Sequence, residues 1–190
     1  MANITLQTLI TESADYVKAD LDDDDSAVIE SRLKSAINEA KNIIALRIRL
    51  TTSEYITLDD SSCFDAESLT QPFSALVSVK VNGGSVVAQE QGGLIQCNAS
   101  PLTTVFVEYQ YIPVDMAEAT DIYPFPSSVS YRILCYYAAA RYYEIKGTKS
   151  SLNKYRYWKE EFEDRLTSLN GGSKMSRRRI KATYNFGDFQ

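Results

Sequence analysis

The sequence predicts an α+β fold that is mainly α: a four-helix core, a small antiparallel β insert between the second and third helices, and an extended C-terminal arm. Three observations predict it. Apolar residues recur at steps of three and four before residue 50 and again after residue 126. Between those stretches they alternate in short runs separated by Gly, Asn and Ser. Beyond Gly171-Gly172 a period of two returns, now inside a basic segment. The predicted parts are residues 1–51 (N-terminal helices), 52–113 (β insert), 114–170 (C-terminal helices) and 171–190 (docking arm).

The first helix is expected within residues 3–20, where Ile4, Leu9 or Ile10, Ala14, Tyr16 and Val17 share one side. The second, over 26–49, carries Ile29, Leu33, Ala36, Ile37, Ala40, Ile44 and Ile48 on one stripe, with Glu30 and Lys34 paired on the polar side. "EYITLDD", "FSALVSVKVNGGSVVAQ" and "TTVFVEYQYIP" then read as strands, the middle run folding back at Asn82-Gly83-Gly84. The third helix opens at Pro126 or Ser127 and closes at Gly147. The fourth aligns Leu152, Tyr155, Trp158, Phe162, Leu166 and Leu169 on one face, pairs Glu161 with Arg165 on the other, and stops at Gly171-Gly172.

Composition narrows the function classes. A chain of 190 residues can bury one good core and a small second module. No run approaches a membrane span, so no membrane partner is expected. The opening "MANITLQTLITESADY" lacks the basic and apolar regions of a signal peptide. Cys63, Cys97 and Cys135 are scattered and form no CxxC, which fits a reduced compartment better than a disulfide framework or a zinc site. A soluble cytosolic protein is the expectation. Histidine is absent, removing the commonest general base and metal ligand, whereas Tyr occurs 13 times and suits interfaces. An enzyme is therefore not expected, nor any cofactor or metal.

Several candidate sites have plainer readings. Asp22, Asp23, Asp24 and Asp25 follow Asp20 in an acidic run. An EF-hand loop begun at Asp20 would need Gly where Asp25 stands and Glu where Ser31 stands, and one begun at Asp22 meets Ala27 and Leu33. A cap on the second helix explains the run better. Gly83-Gly84 and Gly92-Gly93 belong to no phosphate-binding loop and read as hairpin turns. Cys135 reads as a core residue. In the third helix, Tyr131, Leu134, Cys135, Ala138, Tyr142 and Ile145 make one apolar face, while Tyr136, Tyr137, Ala140 and Tyr143 cover the other side. A helix apolar all round is buried all round. Either a second subunit packs on Tyr136, Tyr137 and Tyr143, or the β insert covers them within one chain.

The final segment, "GGSKMSRRRIKATYNFGDFQ", carries five basic side chains and Asp188, a net +4, so residues 1–170 carry −9 of the chain's −5. Ile180, Ala182, Tyr184 and Phe186 alternate with Lys181, Thr183 and Asn185, the pattern of a strand with one apolar face. Such a strand needs a sheet edge or groove to dock on. A nucleic-acid-binding tail would explain Arg177, Arg178 and Arg179 and leave the alternation without a role.

This organisation, and above all "ATDIYPFPSSVSYRILCYYAAARYYEIKGTKSSLNKYRYWKEEFEDRL", resembles the head–tail connector proteins of tailed bacteriophages, also called adaptors or head-completion proteins. The features that carry the likeness are Asp121 and then Pro126 ahead of the third helix, "YYAAARYYEIKG" within it, a short Ser/Asn turn, and Tyr155, Phe162 and Leu166 in the fourth. It covers residues 3–50 and 113–169. The resemblance implies a virion protein of the neck, assembled in the host cytoplasm, that forms a dodecameric ring with copies of itself below the portal. It also implies that the ring extends the DNA channel, passes double-stranded DNA without sequence-specific binding, and offers a surface to the next neck or tail-completion protein. On this view Arg177, Arg178, Arg179, Ile180, Lys181, Tyr184, Phe186 and Phe189 form an arm that docks on the portal protein. Asp22, Asp23, Asp24 and Asp25 would then add to an acidic channel wall that repels phosphates. The large β insert and the long tail depart from the shorter members of that family. A tail-completion or terminator protein, touching the tail tube instead of the portal, is the alternative within the assembly class.

Overall fold

A computed structural model describes residues 3–18 and 26–169. Its elements run α1 (Leu6–Val17), α2 (Ser26–Ile48), β1 (Thr51–Thr57), β2 (Cys63–Asp65), a 3-10 turn (Ala66–Ser68), β3 (Phe73–Val81), β4 (Gly84–Val86), β5 (Ala88–Gln91), β6 (Leu94–Cys97), β7 (Thr104–Tyr111), α3 (Arg132–Lys146) and α4 (Lys149–Ser168). The fold is therefore α+β, with the strands between α2 and α3.

Two apolar cores organise the chain. The helical core joins Leu6, Leu9 and Val17 of α1 to the Ile29–Leu33–Ile37–Ile44 stripe of α2, to Ile133, Leu134 and Ala138 of α3, and to Phe162 of α4. The predicted stripe of α2 is buried as expected, except that Ile48 is only partly covered. Glu39 meets Arg141 while the hollow between α2 and α3 runs from Arg32 to Ile145, so the two helices are antiparallel. Tyr137 meets Phe162, and Lys154 lies over Tyr143, so α4 is antiparallel to α3 in turn.

The second core gathers Leu58, Phe64, Leu69, Val79, Ile95, Val105, Val107 and Tyr109 between two antiparallel sheets. One has the order β1-β7-β3-β4 and the other β2-β6-β5. The sequence pattern suggests a single small sheet, and the difference has a physical source. β2 has three residues and β6 four, too short for an alternating pattern to stand out. Both glycine pairs do serve as turns. Asn82 and Gly83 take φ of 48° and 82° between the paired Val81 and Gly84, the left-handed pair that a tight hairpin demands. Gly92 and Gly93 turn the chain between Gln91 and Leu94.

α1 falls within residues 3–20 as expected, and its entry is tied down: Leu6 donates to Asp121 O, Tyr123 donates to Ile4 O, and Thr5 caps the helix. One helix boundary differs from expectation. α3 begins at Arg132, not at Pro126 or Ser127. The Tyr123 hydroxyl donates to Val129 O at 3.0 Å, and Val129 N–H donates to Pro126 O, so that segment is a bound turn. Gly147 ends α3 as predicted, left-handed at φ 62°, with its N–H returned to Tyr143 O.

Candidate functional site

The aromatic face of α3 meets partners from within the chain. Trp158 of α4 stacks on Tyr16 of α1, with centroids 4.8 Å apart, and on Tyr136 of α3 at 5.6 Å. Tyr137 packs against Phe162 at 4.8 Å. Tyr143 is buried, with Lys154 Nζ 5.4 Å above its ring. The partners within the chain come from α1 and α4 and not from the β insert, which corrects the reading of the insert as their cover; Tyr143 is buried, whereas Tyr136 and Tyr137 are half-buried and keep part of their surface open. The signal was present in the sequence, since Trp158 and Phe162 lie on the apolar face of the fourth helix. Burial, then the hydrogen bond with Glu12, raises the Tyr16 phenol far above its ordinary value, so that ring stays neutral. Cys135 is wholly buried, as expected of a core residue. Burial pushes its thiol up to about 12, which keeps it protonated and unreactive.

A polar clasp holds the chain that leaves the β body against α2, and the periodicity of α2 concealed it. Lys34, Asn38 and Lys41 recur at helical spacing on α2 and hold the chain leaving β7. Lys34 Nζ donates to Ala117 O at 2.5 Å. Asn38 donates to Met116 O at 3.0 Å and accepts from Met116 N at 2.9 Å, satisfying both backbone groups of one residue. Lys41 is fully buried, and its Nζ donates to Pro113 O at 2.5 Å and to Asp115 Oδ1 at 2.7 Å. Lys34 thus acts across 83 positions in sequence, beyond the local pairing with Glu30 that the sequence suggested.

Within the insert, Glu54 of β1 anchors the loop before β3. Its carboxylate accepts from the Tyr109 hydroxyl at 2.5 Å, from Thr70 N at 3.0 Å and from Thr70 Oγ1 at 2.8 Å, while Gln71 N donates to the Tyr109 oxygen. Burial opposes ionisation of Glu54, but these hydrogen bonds outweigh it and hold the carboxyl below the usual range. Tyr109 moves the other way: burial, then its bond to Glu54, pushes the phenol up to about 12.

The outer face of the four-stranded sheet carries a row that sequence reading missed. Tyr55 and Phe106 sit opposite each other on β1 and β7 with rings 5.3 Å apart, and Lys80 of β3 reaches over Phe106. Tyr55 is 75% exposed. β1 is also an edge strand, and among the described residues its backbone pairs only with β7.

The arm residues Arg177, Arg178, Arg179, Ile180, Lys181, Tyr184, Phe186 and Phe189, and the acidic residues Asp22, Asp23, Asp24 and Asp25, lie outside the described residues. Among the described residues no three Cys, Asp or Glu side chains come together as a metal site, and no helix is long and apolar enough to cross a membrane. No protein-family model matches the chain, and no curated protein matches it.

Proposed function

We propose that this chain is a structural assembly protein, a head–tail connector that forms a ring of its own copies at the neck of a virion. The observation that carries the reading is the order of elements: two helices, a self-contained β body, then an α3–α4 hairpin bearing the "YYAAARYYEIKG" segment. That order follows the resemblance described above. The ring would sit below the portal, extend the DNA channel and offer the tail a surface, with the basic and aromatic arm after residue 170 reaching the portal. The β body has its own core, and the chain leaving it is held to α2 by polar contacts, so it can serve as a docking module beside a helical wall. An acidic body, −9 over residues 1–170, lets DNA pass without adhering. No reaction is assigned to it. Negative-stain imaging of the purified chain tests the proposal. Closed rings with a central opening are expected. Dispersed single particles that retain duplex DNA would favour a nucleic-acid-binding module instead.

A further inference from the structure

We infer that the free edge of β1 is the seat of this chain's own segment 180–186, which adds to the four-stranded sheet as a fifth, antiparallel strand beside Thr51–Thr57. This goes beyond the connector reading, because it gives the segment a seat in the free protomer, which it would have to leave in order to dock on the portal.

Four observations converge on that seat. β1 is seven residues long, ends its sheet, and bonds through its backbone to β7 alone among the described residues. An open edge of that length is a template for strand addition. Its inward residues Thr52, Glu54 and Ile56 are only half-buried, so the inner face is unfinished on this side. Residues 180–186 match β1 in length and bring one apolar face. Charge agrees: residues 50–79 hold Glu54, Asp59, Asp60, Asp65 and Glu67 with no Lys or Arg, whereas residues 170–190 carry +4.

The topology brings the two together. Because α2, α3 and α4 alternate in direction, Leu169 lies at the end of the helical layer where α2 finishes and β1 begins. Residues 170–179 can span about 33 Å when extended, which gives the segment a high effective concentration at its own β1.

Side-chain parity then fixes the register. Residues directly opposite in an antiparallel pair share a face. Setting Ile180 beside Ile56 places Ala182 beside Glu54 and Tyr184 beside Thr52, all on the inner face. Ala182, the smallest of the three, meets the already occupied Glu54 carboxylate. On the outer face Lys181 falls beside the exposed Tyr55 ring and Thr183 beside Ser53. Arg177 comes opposite Asp59. A slip of one residue would turn Lys181 inward, so the pattern selects one register.

The test uses the full chain. Under mild oxidation, Ser53→Cys with Thr183→Cys should give an intramolecular disulfide. Ser53→Cys with Ala182→Cys, on opposite faces, should not. Hydrogen exchange provides a second readout: Ile180→Asp with Tyr184→Asp should speed exchange of the outward-directed β1 amides about tenfold or more, leaving the helical core unchanged. A 53–183 disulfide found only between chains would overturn the inference, and so would β1 exchange that is the same in both proteins. Ring formation is read separately from native mass, so failure of this docking and failure of the connector reading are distinguishable.

Discussion

Lys41 places a charged nitrogen where no water reaches it, and Pro113 O and Asp115 compensate. Asp115 is 67% exposed, so the ion pair itself adds little; the hydrogen bonds and the packed stem carry the contribution. Lys41→Ala leaves a cavity and an unpaired Pro113 carbonyl and should lower stability by about 2–4 kcal/mol. Lys41→Met keeps the stem and should cost about half as much. Urea titrations followed through Trp158, the chain's single tryptophan, measure both. Glu54 makes a pH prediction. Its folded carboxyl is more acidic than an ordinary glutamate of about 4.3, so its contribution is present above that pH and is lost as pH falls through the lower folded value. Tyr109→Phe removes one of the bonds responsible, and should flatten the stability-versus-pH curve below about pH 4.5 as well as lower stability at neutral pH.

Among the elements, the helices were legible because long 3.6-residue periodicity survives local irregularity. The stripes of α2 and α4 locate the helical core from residue spacing alone. Their ends were less legible, since Tyr123 and Asp121 fix the starts of α3 and α1 from elsewhere in the chain. The clasp of Lys34, Asn38 and Lys41 was invisible for a related reason: a polar residue on a helix looks the same whether it faces water or a backbone carbonyl far along the chain. Gly147 shows the opposite case. Its left-handed φ of 62° was readable from Gly at the end of an apolar run. A Cβ there would meet only Ile145 O at 3.7 Å, so Gly147→Ala should cost about 1 kcal/mol from conformation alone, visible as a modest loss in thermal stability. Trp158→Ala should cost more, about 2–3 kcal/mol, because it empties a stack shared by three helices. Its effect should appear in the unfolding midpoint while native mass stays the same, because the stack lies inside one protomer.

For the whole molecule, the sequence indicated the separation into helical and β bodies, and two distinct cores embody it. The aromatic face of α3 was legible only in part: the apolar stripe of α4, with Trp158 and Phe162, pointed to one partner, and only packing shows that Tyr16 of α1 joins it. Ring contacts in the proposed assembly have the open parts of Tyr136 and Tyr137 available to them, together with the exposed Tyr55 of the sheet and Val28, Ile145 and Leu152 of the helices. The opposite charges of body and arm give the assembly reading and the nucleic-acid reading different salt behaviour. Phosphate contacts made by four or five basic groups weaken steeply as ionic strength rises, whereas apolar contacts between subunits persist. The most direct measurement is the native mass of the full chain across concentration and salt, with and without duplex DNA. The account predicts a single closed oligomer whose mass is unchanged by added DNA and persists at high salt. A monomer that binds DNA at low salt and releases it as salt rises would contradict it.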